Sequence, residues 1–115
     1  MTELQGFLKS DITFSQDLTA GALSYTTTLT RKFKLASIMF HASGVITETI
    51  TITLDSVQGA NYDTLLRSKS LAAEQNFVYL PDGEVLFQAG DKLKITCTNA
   101  NLAETIYGTI KLQEA

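Results

Sequence analysis

Chemistry needs groups that titrate, bind metal or attack, and in this chain such residues stand far apart. His41 is the only histidine, so a histidine cluster for zinc is excluded and a Ser-His-Asp arrangement has a single imidazole to draw on. It lies in I-M-F-H-A-S at the end of a strand pattern, where nothing announces a nucleophile, and it reads as a rim residue. Cys97 is the only cysteine, which rules out an intramolecular disulfide. In L-K-I-T-C-T it shares the parity of Leu93 and Ile95, so it reads as a small buried hydrophobe and not as a reactive thiolate. Asp55, Asp63, Asp82 and Asp91 fall at strand ends or turns, where their oxygens could meet around calcium at one end of the fold. Their spacing matches no calcium loop, and Asp is frequent in turns because its side chain bonds nearby backbone. Asp82-Gly83 and Gly90-Asp91 read as turn glycines, with no phosphate-binding loop around them. The expectation is a non-enzyme with no catalytic residue, no cofactor and no metal site.

The elements that carry these residues are strands. Val45 to Leu54, V-I-T-E-T-I-T-I-T-L, alternates with period two: Ile46, Ile50, Ile52 and Leu54 take one side, Thr47, Thr49, Thr51 and Thr53 the other. One face on a core and one in water require that pattern. Lys92 to Cys97 alternates as strictly, and in the last segment Ile106, Ile110 and Leu112 oppose Tyr107, Thr109 and Lys111. Strands are expected near 8–15, 22–30, 32–42, 45–55, 62–67, 76–80, 84–88, 91–98 and 104–112. Phe33 and Leu35 share one parity, Ile38 and Phe40 the other, so a β-bulge is expected near Ala36-Ser37. Leu80-Pro81-Asp82-Gly83-Glu84 predicts a hairpin between 77–79 and 85–87. Asp63 to Gln75 is the best helix candidate, and a strand followed by a loop fits Asp63 to Lys69 equally well.

Composition sets the limits. A chain of 115 residues with 44% hydrophobic and 18% charged residues is expected to form one domain, 1–115, with its own core. The formal net charge is −3, and only Arg31, Lys32 and Lys34 cluster basic charge, which argues against nucleic-acid or anionic-membrane partners. The start, M-T-E-L-Q-G-F-L-K-S, lacks the basic and apolar regions of a signal peptide, so synthesis in a reducing cytoplasm is expected. Residues 1–9, with Leu4, Phe7 and Leu8, form a candidate amino-terminal arm.

Two surface features remain. The chain has 16 threonines, several in outward ladders at Thr47 to Thr53 and Thr26 to Thr28. Such ladders suit solvated strand faces, and they also suit packing against another subunit without desolvating charge. Tyr25, Tyr62, Tyr79 and Tyr107 are dispersed, and with no Trp they form no visible pair on which sugars could stack; core-rim packing with a wetted hydroxyl is the simpler reading. The expected fold is all-β, a single antiparallel β-sandwich of eight or nine strands, jelly-roll-like and not immunoglobulin-like, because no Cys…Trp…Cys core is present.

Three runs, T-L-T-R-K-F-K-L-A-S-I-M-F-H-A-S, I-T-I-T-L-D-S-V-Q-G-A-N-Y-D-T-L-L and P-D-G-E-V-L-F-Q-A-G-D-K-L-K-I-T-C-T-N, resemble small β-sandwich structural proteins of tailed bacteriophages. Proteins of that kind decorate or cement a capsid, or serve at the head-tail junction or on the tail. The resemblance implies a non-enzymatic virion protein, made in the host cytoplasm, whose partners are other copies of itself, as a trimer in many such proteins, and other virion proteins. A carbohydrate-binding β-sandwich module is the alternative.

Overall fold

In a computed structural model describing residues 9–101 and 104–114, the alternating segments pair into two antiparallel sheets. The strands are β1 (Lys9–Asp17), β2 (Leu23–Thr28), β3 (Phe33–Ile46), β4 (Thr49–Asp55), β5 (Thr64–Ser70), β6 (Glu74–Tyr79), β7 (Leu86–Phe87), β8 (Lys92–Cys97) and β9 (Thr105–Glu114). Sheet A has the order β1-β9-β3-β6, with β7 also on β3; sheet B has the order β2-β8-β4-β5. The pairs β4–β5, β3–β6, β2–β8 and β1–β9 nest around the turn after Asp55. The chain is thus one long antiparallel ribbon rolled into two layers, a jelly roll. The candidate arm, residues 1–9, lies outside the described residues except for Lys9 at the start of β1.

Alternation fills the space between the sheets. Ile50, Ile52, Leu93, Ile95 and Cys97 bury their side chains from sheet B, and Leu35, Ile38, Phe40, Ile106, Ile110 and Leu112 do so from sheet A. Sheet A adds an aromatic line. Phe14 stacks on Tyr25 of sheet B at 4.7 Å and meets Phe40 edge-on at 6.1 Å, and Phe40 stacks on Phe77 at 5.9 Å. The Phe14 ring lies directly over Gly108, where any Cβ would overlap it.

The bulge expected at Ala36-Ser37 is present. Ser37 pairs with Lys111 and Leu35 with Leu112, so Ala36 is left over and the buried parity changes there. Three expectations need correction. The alternating run 45–55 is not one strand: β3 continues through Ser43-Gly44 to Ile46, the chain crosses between sheets at Thr47-Glu48, and β4 begins at Thr49. Parity survives the crossing, which hid it. The candidate helix over 63–75 does not form: a short 3₁₀ turn, Ala60–Tyr62, precedes the segment, which makes strand β5 and the start of β6, the strand alternative for Asp63 to Lys69. The predicted hairpin at Pro81 does not reverse the chain. β6 pairs with Ile38 to Ile46 and β7 with Phe33-Lys34, in the same direction along one edge of β3. Residues 80–85 are a loop thrown out of that line opposite the bulge, with Gly83 at φ +114° and the Val85 carbonyl accepting the Leu35 N–H at 3.0 Å.

Candidate assembly surfaces

The two outer faces differ in chemistry because the strand order brings different outward residues side by side. On sheet A, Thr13, Thr109, Met39 and Val78 form one row across four strands, and Ser15, Tyr107, His41 and Asn76 form the next. These eight positions hold no Asp, Glu, Lys or Arg. Val78 is 50% exposed, Tyr107 48% and Met39 37%, so three large side chains on neighbouring strands face water together. Soluble proteins rarely leave apolar groups contiguous without a use. His41 Nδ1 lies 2.7 Å from Asn76 Oδ1 within this surface, a contact that orients the ring along the row. A shallow hollow of about 410 Å³ runs between Met39, His41, Val78 and Tyr107.

On sheet B, the rows are Ser24, Thr96, Thr51, Ser68 and Thr26, Lys94, Thr53, Leu65, followed by Thr28, Lys92, Asp55. The threonine ladder of β4 therefore exists, but the face is not neutral. β8 lies between β2 and β4 and aims Lys92 and Lys94 outward from its middle. Thr27 shares the inner parity with Leu23 and Tyr25, and Thr47 sits at the crossing, where its Oγ1 accepts the Ala73 N–H at 3.1 Å. Only Thr26 and Thr28 of that triplet join the outer ladder.

Two of the carboxylates weighed as chemistry, Asp63 and Asp91, are used by the fold. Asp91 is buried; it accepts the N–H groups of Val57 and Gln88, each at 2.8 Å, and ties the 88–91 turn to the end of β4. Asp63 accepts the Ser56 N–H at 2.8 Å. Asp55 pairs in register with Lys92, and Asp82 is in the 80–85 loop. Among the described residues no three His, Cys, Asp or Glu side chains are placed to hold a metal ion. Cys97 is buried, and the loss of water around it, followed by the charge of Glu48, pushes its thiol up to about 11. A thiol held that far up is protonated near neutrality.

One residue escaped the sequence reading. Glu48 is almost fully buried and accepts from Thr98 Oγ1 at 2.8 Å, from Ala100 N–H at 2.9 Å and from Asn101 N–H at 2.8 Å. It closes one end of sheet B as Asp91 closes the other, each side chain satisfying backbone donors that have no strand partner. In the sequence it occupied the slot of an outward strand residue's inner neighbour, and its partners lie some fifty residues away.

A second concavity, about 350 Å³, opens at the seam between β5 and β6 and is lined by Leu66, Arg67, Phe77, Tyr79 and Asp82. Arg67 and Lys69 both stand 5.9 Å from the centre of the Phe77 ring. Burial raises the Tyr79 hydroxyl above its ordinary pKa, against the pull of Arg67.

No protein-family model matches the chain, and no curated protein matches it by sequence. Among solved structures, a crystal structure of PirA superposes with TM-score 0.49 at 14% identity over 90% of this chain and 92% of that one. The structure of infectious bursal disease virus, Gx strain, superposes with TM-score 0.41 at 15% identity over 95% of this chain and 32% of that one, so this chain spans about a third of it. Both scores fall below 0.5, and the functional reading rests on the surfaces of this chain.

Proposed function

We propose that this protein is a non-enzymatic structural subunit of a virus particle, acting by homo-oligomeric assembly; on a tailed bacteriophage its place is capsid decoration or cement, or the head-tail or tail apparatus. The observation that supports it is the pair of adjoining uncharged rows on the outer face of sheet A, where Met39, Val78 and Tyr107 are exposed side by side. Contact between subunits gains most from aromatic and aliphatic groups at its centre and loses when charge is desolvated there. Of the side chains weighed for chemistry, Asp63 and Asp91 are bound to backbone donors and Cys97 is buried, which favours a role in shape over one in turnover.

The second reading, a carbohydrate-binding module, draws on the seam cleft with Tyr79, Arg67 and Asp82. Sugar recognition needs an aromatic platform with converging polar groups. The test is binding of the purified protein to phage particles and, in parallel, to a glycan array. Particle binding at defined stoichiometry supports the structural subunit; glycan binding by a chain that stays monomeric and ignores particles overturns it.

A further inference from the structure

We propose that β1 is the strand through which two copies join, pairing antiparallel with β1 of a second copy about a two-fold axis at Thr13, so that sheet A continues from one subunit into the next. The inference rests on the assembly reading above and adds to its face contact a second one, at the edge of sheet A. Among the described residues β1 pairs with β9 alone, leaving one side of a nine-residue strand without a ladder. Its register with β9 runs unbroken from Lys9 to Asp17. The strand holds no Pro and no bulge, the usual guards of an exposed edge. The edge of sheet B at β5 is guarded: its register slips at Leu66, and Arg67 and Lys69 flank the slip. The edge strands β2 and β6 are six residues each. Among the described residues β1 is thus the longest edge strand, and its register has no slip.

The sequence of β1 selects its own register. Opposed residues must share a face, so the two residue numbers in each cross-strand pair sum to an even value. The symmetric alignment that uses all nine residues sets Thr13 against Thr13 and, at both ends, Lys9 of one copy against Asp17 of the other. Asp11 then faces Ser15, while its carboxylate keeps the Lys111 ammonium of its own copy at 3.1 Å. Ile12 faces Phe14 on the inner side, covering the part of Ile12 that the edge leaves exposed. Sliding by two residues one way opposes Asp11 to Asp17 twice; sliding the other way leaves Gln16 and Asp17 of each copy beyond the end of its partner strand. Asp17 is held ionised: hydrogen bonds from Thr19 Oγ1 at 2.6 Å and from the Thr19 N–H at 3.0 Å keep its pKa below the usual value.

The test uses the full chain. Thr13→Cys is expected to give covalent dimers with a short bismaleimide or on oxidation, because directly opposed strand residues bring their Cβ atoms within about 5 Å. Ser15→Cys, whose opposite is Asp11, is expected not to, and buried Cys97 leaves the parent chain uncross-linked. At low salt, Thr13→Asp should weaken self-association about tenfold by setting like charges opposite each other at the axis, and mixing it with Thr13→Lys should restore association. Circular dichroism confirms that each variant is folded. An oligomer in which Thr13→Cys does not cross-link, or in which Ser15→Cys cross-links equally, overturns the β1 pairing and leaves assembly standing; a parent chain that is monomeric at every concentration overturns both.

Discussion

The two sheets are built from the same alternation of apolar and polar residues, yet they present opposite characters to solvent. Sheet B turns hydroxyls and the lysines of β8 outward, and its ends are closed by the buried carboxyls of Glu48 and Asp91. Sheet A turns out Met39, Val78 and Tyr107, and among the described residues its edge strand β1 pairs on one side alone. Inside, sheet B contributes aliphatic residues, whereas sheet A contributes the line of Phe14, Phe40 and Phe77 packed down onto a glycine. Alternation decides which side of a strand is buried. Strand order decides which outward residues become neighbours, and that juxtaposition gives a sandwich two outer faces of different chemistry.

The sharpest way to probe sheet B is between its faces. Ile52→Ala removes a fully buried side chain and is expected to cost about 2–5 kcal/mol in chemical denaturation. Comparable loss from an outward residue of the same strand would show that the hydroxyl face is itself a core. In sheet A the matching test adds an atom instead of removing several. Gly108→Ala pushes against the Phe14 ring and should cost about 1–3 kcal/mol, with Phe14→Leu in the same chain recovering part of it. No recovery would mean that the glycine serves something other than the ring.

A smaller loss is expected in alkaline solution, from the sheet B side of the core. The folded Cys97 thiol keeps its proton up to about 11, against 9.0 for an ordinary one. The stabilisation is therefore complete below pH 9.0 and is lost as the pH rises through about 11. Urea midpoints measured across that range should fall less steeply for Cys97→Ala than for the parent. Smallest of all, Thr51→Ala on the outer face of sheet B should change stability by less than about 0.5 kcal/mol and leave association unchanged. An association defect would move the contact surface to sheet B.

How far the sequence carried depended on whether the cause of a feature lay within one strand. The strands over 49–55, 92–97 and 105–114 were legible from alternation, and the bulge at Ala36 from the parity change between Leu35 and Ile38. The crossing at Thr47-Glu48 was not, because Ile46 and Ile50 keep the same parity although they belong to different sheets. Pro81-Asp82-Gly83 has the composition of a reversal; only the pairing of β6 and β7 with the same edge of β3 makes it a loop on a continuing line. Gly108 is required by a ring on β1 and Glu48 by donors at 98, 100 and 101, so neither shows in its own neighbourhood. For the surfaces, the outward parity of Tyr107 was readable, whereas its place beside Met39 and Val78 needed the register of three strands.

Sedimentation velocity over a rising concentration series tests the central claim most directly, with the parent chain beside Val78→Lys. Val78 is half exposed, so the substitution leaves the core intact and alters only the two uncharged rows on the outer face of sheet A. The parent is expected to associate beyond a dimer, and Val78→Lys, with an unchanged melting temperature, to stop at the edge-joined dimer or to lose the larger assembly at least about tenfold more readily, since a lysine at the centre of a face contact must be desolvated. A parent chain that stays monomeric throughout, or a Val78→Lys variant that associates as tightly as the parent, would contradict the claim.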